Sequence, residues 1–182
     1  MRYITEYQGR WPASFEKITR AIRMKLPGAC EIHHVGATAI PGMPSKDIID
    51  LTIECPKGGM AAVIRGLADL GYEHQGNKGL PGREAFRPLR DSVAEELPAH
   101  HLYACEASAM ELRKHLAFRD YLLAHPEKMN WLAEQKRLAD QGATSRDEYI
   151  ANKVQAYEAM TAQSLAWAAA AGPRATNRKA ST

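Results

Sequence analysis

The segment HHVGATAIPGMPSKDIID, His33 to Asp50, gathers residue types that handle phosphate. Gly36 and Gly42, with Thr38 between them, let backbone N–H groups approach an anion, and Lys46 offers a counter-charge. Asp50 opens an apolar run with a carboxylate of the kind that holds a divalent cation. Together these residues point to a nucleotide site, although the same glycines also suit a plain turn. Asp50 itself reads either as a metal ligand or as a strand-edge carboxylate paired with Lys46 or an arginine, because an unpaired charge in an apolar strand is costly.

Alternation along a strand sends Asp50, Thr52 and Glu54 one way and Ile49, Leu51 and Ile53 the other. Asp47 is therefore not a face partner of Asp50. The nearest same-strand oxygen is the Thr52 hydroxyl, and one carboxylate with one hydroxyl makes a weak magnesium site. A second strand must add an acid, with Glu84 and Glu106 as candidates. His33 with His34 and His100 with His101 form two pairs, each placing one ring on either face. One imidazole per strand falls short of a zinc ligand set, which favours core or site-lining roles. Arg83, Arg87, Arg119, Arg146 and Lys153 are cations on segments that can surround a cleft, and arginine's planar fork suits phosphate. Leu112, Leu116, Phe118, Tyr121 and Trp131 read as packing.

The elements that must position these groups follow from periodicity. Trp11 to Leu26 reads as a helix, with Pro12 in its first turn and Phe15, Ile18, Ile22 and Leu26 on one face. Glu31 to Val35 is a short strand, and Ile48 to Cys55 is an apolar, β-branched run suited to a buried central strand. A helix from Met60 to Leu70 closes at Gly71. Tyr72 to Gln75 is a further short strand, GNKGLPG a loop, and Glu84 to Arg90 with His100 to Cys105 a hairpin. From Ser108 onward the pattern is helical: Ser108 with Glu111 and Ser145 with Glu148 read as capping boxes, and Pro126 restarts a helix. Strands broken by helices, then helices alone, imply an α+β domain: a mixed β-sheet flanked by helices, with a helical C-terminal layer.

The chain has 182 residues, 45% of them hydrophobic and 25% charged, which fits one globular domain over residues 1–171. Residues 172–182, carrying Arg174, Arg178 and Lys179, read as a flexible basic tail. A formal charge of +3 with scattered basic residues makes no case for nucleic acid. Cys30, Cys55 and Cys105 stand apart without metal or disulfide spacing. No apolar run approaches bilayer length, so a cytoplasmic protein without membrane association is expected.

Several motifs lie in register with those of one family. Trp11-Pro12 with Phe15, the segment His33 to Asp50, Arg83 to Phe86, His101-Leu102, FRDYLLAHPE from Phe118 to Glu127, and Arg146 with Tyr149 and Lys153 resemble the GrpB family over nearly the whole chain. The resemblance implies a nucleotidyltransferase-like fold of the polymerase-β type. It implies transfer of a nucleotidyl group from a nucleoside triphosphate to a small-molecule acceptor, with magnesium on strand carboxylates. On that basis Asp50 and His101 are the catalytic candidates. Gly36, Thr38, Lys46, Arg83, Arg119 and Lys153 are the phosphate-binding candidates, and Asp50, Asp47 and Glu84 the metal ligands. The sequence departs from the family pattern at Ala37, where serine is usual, at Asp47, where proline is usual, and at Tyr103, where a second histidine is usual. Asp50-Leu51-Thr52 also lacks the second carboxylate of the superfamily's D-x-D/E pair. Two other readings are a non-catalytic module binding a nucleotide or CoA-like phosphate ligand, and a triphosphate-dependent ligase of small metabolites.

Overall fold

A computed structural model describes residues 3–172. Its helices are α1 (Trp11–Arg23), α2 (Met60–Ala68), α3 (Met110–Ala124), α4 (Pro126–Gly142) and α5 (Arg146–Ala170), and its strands are β1 (Glu31–Val35), β2 (Ile49–Cys55), β3 (Tyr72–His74), β4 (Arg83–Pro88) and β5 (His100–Glu106). The five strands lie in the order β1-β2-β5-β4-β3. Only β2 and β5 run parallel, joined through α2, β3 and β4, and the expected β4–β5 hairpin is antiparallel. This is the α+β arrangement implied by the pattern, with α3 to α5 as the C-terminal helical layer.

One sheet face carries Ile49, Leu51, Ile53, Leu102 and Ala104, and it packs on Trp11, Ile18 and Ile22 of α1 and Val63 and Leu67 of α2. Full burial of each such side chain contributes roughly 1.5–3 kcal/mol. The other face carries Asp50, Thr52, His101, Tyr103 and Arg83 and meets the C-terminal helices. Ala37, Ile40 and Met43, in the loop between β1 and β2, are buried among Phe118, Tyr121, Leu122, Leu132, Ala133 and Met160 of α3, α4 and α5. The glycine-rich loop is therefore clamped by the helical layer, through three apolar side chains spaced along it.

Several local expectations change in three dimensions. α1 stops at Arg23 rather than Leu26. Ser108 does not cap α3: Ala109 is the N-cap residue without a side-chain bond, and Glu111 instead pairs with Lys114 at 2.6 Å. Ser145 does cap α5, accepting from the Glu148 N–H at 3.1 Å, while the Glu148 carboxylate turns back to Thr144. Trp131, expected in the core, is 45% exposed on α4. Among the described residues no helix is long and apolar enough to cross a membrane. From residue 173 on, the expected basic tail lies outside the described residues.

Candidate functional site

The site forms at one end of the sheet, where β1 ends and the parallel strands β2 and β5 begin. Asp50 stands opposite Val35 on one side and His101 on the other. Because cross-strand partners share a face, the Asp50 and His101 side chains project together, and His101 Nδ1–H donates to Asp50 Oδ1 at 2.9 Å. The pair opens to solvent, with His101 52% and Asp50 30% exposed.

Gly36 brings the loop against this carboxylate. Its φ of 69° and ψ of −169° fall in a region that only glycine occupies readily, and a Cβ there would stand 2.4 Å from Asp50 Oδ2. Immediately after it the chain turns through a short 3-10 segment, Ala37–Ala39. Thr38 within it is fully buried, its hydroxyl 3.0 Å from His34 Nε2. That bond fixes the turn and takes up the hydroxyl expected to touch phosphate. His34 stacks on Phe15 at 4.7 Å, and burial pushes its pKa down to about 4, so the ring is neutral at pH 7. Arg119 reaches across from α3 and donates to the His34 carbonyl at 3.0 Å and to Asp120 at 2.8 Å, which makes it a brace for β1.

The metal set expected from the sequence does not assemble. Asp47 ion-pairs with Arg10, and its second oxygen accepts from the buried Trp11 indole N–H at 2.8 Å, so it ties α1 to the loop. Glu84 pairs in register with Ala104, which places it on the opposite sheet face from Asp50, and it bonds His74 at 2.6 Å. Glu106 shares that opposite face and accepts from the Gly58 N–H. Thr52 is fully buried, with its hydroxyl 2.9 Å from His115 Nδ1 on α3. Asp50 is left as the single carboxylate, a donor set that does not fit two bound metal ions. Among the described residues, the histidine and carboxylate group close enough to share a cation is Glu31, His33 and Glu54, four residues further along β2.

Cations, by contrast, converge. Arg83 lies over the Tyr103 ring at 4.4 Å, on the Asp50 face, and its Nε is buried without a hydrogen-bond partner. Arg87, also expected near the cleft, pairs instead with Glu73 on the β3–β4 hairpin. On the helical side Lys46 stands 5.8 Å from the Tyr149 ring centre, and Lys153 stands 5.0 Å from both Tyr149 and Tyr157. Lys136 Nζ is 5.9 Å from the Tyr157 ring. Burial lowers the pKa of all three lysines, and the field of Asp50 opposes that shift in each. Lys46 also feels Arg146.

Sequence reasoning missed Lys136, Tyr157 and His115. For Lys136 a signal existed: it falls four residues after Leu132 and three before Ala139, on the stripe of α4 that faces the core. A lysine at such a position is either tolerated at a cost or used.

Known proteins agree with the motif reading. The GrpB protein family profile matches residues 3–163, and the chain belongs to that family. It is 31% identical over 150 residues to the UPF0157 protein YqkA of Bacillus subtilis, covering 81% of this chain and 42% of that protein. It is also 31% identical to the UPF0157 protein PA4798 of Pseudomonas aeruginosa, covering 86% of this chain and 64% of the relative. The chain thus spans less than two thirds of either relative's length. A crystal structure of the conserved protein GrpB from Enterococcus faecalis superposes with a TM-score of 0.74 at 27% identity, covering 90% of this chain and 98% of that one.

Proposed function

We propose that this GrpB-family chain is a cytoplasmic enzyme that binds a nucleoside triphosphate beside Asp50 and transfers its nucleotidyl group to a small-molecule acceptor. The Asp50–His101 hydrogen bond carries the reading. An ionised carboxylate only accepts, so the bond holds the proton on Nδ1 and presents Nε2 as the free base. In the transfer, the acceptor O–H gives its proton to His101 Nε2 as its oxygen bonds the α-phosphorus. The bond from that phosphorus to the bridging oxygen breaks, and pyrophosphate leaves. Lys46, Lys153 and Arg83 supply positive charge where the phosphates develop negative charge. Gly36 contributes by its lack of a side chain, which keeps the loop backbone close to the reacting groups.

Magnesium commonly accompanies triphosphates, and Asp50 is the carboxylate that would hold such an ion here.

Calorimetric titration with ATP, GTP, CTP and UTP, each with and without magnesium, tests the binding step. Pyrophosphate release with water as surrogate acceptor tests the chemistry. The expected outcome is binding of at least one triphosphate, with release lowered about a hundredfold in His101→Gln. Absence of binding to all four would remove the proposal.

A second reading, a binding module without turnover, is favoured by Thr52, which stands where the superfamily has its second acid and is committed to His115. It predicts triphosphate binding with no pyrophosphate release.

A further inference from the structure

Lys136 is a cation enclosed in the protein, and the transfer chemistry at Asp50 and His101 gives it no task. It is 2% exposed, and its ammonium lies 5.9 Å from the centre of the Tyr157 ring. Taking an ammonium largely out of water is costly, and replacing buried charged groups by apolar side chains of similar volume is often neutral or stabilising. Its surroundings raise the cost further. Lys153 on α5 repels it, Tyr157 faces it, and Asp50 on β2 is the carboxylate whose field reaches it.

We infer that Lys136, Lys153 and Lys46, gathered around the rings of Tyr149 and Tyr157, form a ready-made subsite for an anion carrying at least two linked phosphoryl groups. The three ammonium groups come from three separate elements: α4, α5 and the loop before β2. Their positions are held by aromatic faces rather than by carboxylates: Lys153 shares Tyr149 with Lys46 and Tyr157 with Lys136. A ring face fixes a cation's position without neutralising it, so the charge stays available. Asp50 is the carboxylate whose field reaches all three lysines, so cations outnumber it, and Arg146 adds its charge at Lys46. Two linked phosphoryl groups carry more negative charge and offer more acceptor oxygens than orthophosphate, so they engage cations from three separate elements more completely.

A proton couples to the binding. Burial and Lys153 push the pKa of Lys136 down to about 7, so near pH 7.5 much of it is neutral in the free protein. An arriving polyanion restores the ammonium, and the proton taken up is counted by calorimetry in buffers of different ionisation enthalpy.

The inference rests on the nucleotide reading for its place beside Asp50, and inorganic pyrophosphate tests it without nucleobase or acceptor. Titrations in EDTA at pH 7.5 would compare pyrophosphate, tripolyphosphate and orthophosphate against wild type, Lys136→Met, Lys136→Arg and Lys153→Met. Pyrophosphate is expected to bind at least tenfold more tightly than orthophosphate. Lys136→Met should weaken pyrophosphate at least tenfold and abolish proton uptake, while Lys136→Arg should retain most of the affinity without the uptake. Lys153→Met reads out the same subsite should Lys136→Met fail to fold. Equal pyrophosphate affinity in wild type and the Met variants, or no binding by wild type, overturns the subsite. Pyrophosphate binding without any nucleotidyl transfer leaves the subsite in place and removes the catalytic reading.

Discussion

Replacing Gly36 by alanine probes the junction between loop and sheet most directly, because two separate costs fall on one methyl group. The backbone at φ 69° and ψ −169° is nearly exclusive to glycine, and holding alanine there costs roughly 1–3 kcal/mol. The new Cβ would also stand 2.4 Å from Asp50 Oδ2, so the carboxylate must swing away from the loop. That displacement strains or breaks the bond to His101 and adds about 1 kcal/mol, a modest figure because the pair is partly solvated. Together these give about 3 kcal/mol, or a fall in Tm of about 6–12 °C for a chain of this length. Gly76 supplies the control. Its φ is 68° but nothing lies within 4 Å of its added Cβ, so Gly76→Ala carries backbone strain alone, about 1 kcal/mol. Thermal melts of both variants give the difference. The imidazole resonances of His101 should move in Gly36→Ala and stay in place in Gly76→Ala. Variants within about 0.5 kcal/mol of each other, with His101 unmoved in both, would refute the proposed contact between loop and carboxylate.

Asp50→Asn keeps the shape of the side chain and removes its charge, so pyrophosphate release should fall at least tenfold while metal-free pyrophosphate binding tightens. A loss of that metal-free binding would contradict the sign of Asp50's role. His34 titrates at about 4 when folded and 6.5 when unfolded, and burial also lowers His33, His100 and His115. Between those two values the unfolded chain binds the extra protons, so stability should decline as pH falls from 6.5 towards 4, and a Tm that stays flat from pH 7 to 5 would contradict this. Lys136→Met should raise stability by about 1–4 kcal/mol at pH 6. That gain should shrink as pH rises from 7 towards 10.5, because wild-type Lys136 is then increasingly neutral in the fold, and melts at pH 6 and pH 9 check both halves.

Much of the fold is legible because its causes are local. The run IIDLTIEC becomes an interior strand of the sheet, its apolar side chains Ile49, Leu51, Ile53 and Cys55 alternating onto the face that α1 and α2 cover. Pro126 starts α4 where a missing N–H does no harm, and Ser145 caps α5 through a bond only three residues long. Where a local signal has a competitor, it loses: Glu111, set to serve Ser108, finds Lys114 at i+3 instead. Trp131 shows the converse limit. Its size suggests the core, yet its position on α4 turns it outward.

The candidate site divides the same way. Sequence alone determined which residue types stand at the end of the glycine loop, that Asp50 interrupts an apolar strand, and that the chain carries the GrpB motifs in order. Tertiary structure decided which of those residues meet. Asp47 is claimed by Arg10 and Trp11, 37 and 36 residues away, and Thr52 by His115, 63 residues away. Glu84 is excluded by sheet register, since its pairing with Ala104 turns it to the far face. The parallel pairing of β2 with β5 sets His101 beside Asp50, and the packing of α4 and α5 brings Lys136 and Lys153 into reach of it. Periodicity states which way a side chain points within its own element, but a hydrogen bond or an electrostatic field depends on distances between elements, and those are set by how the layers pack.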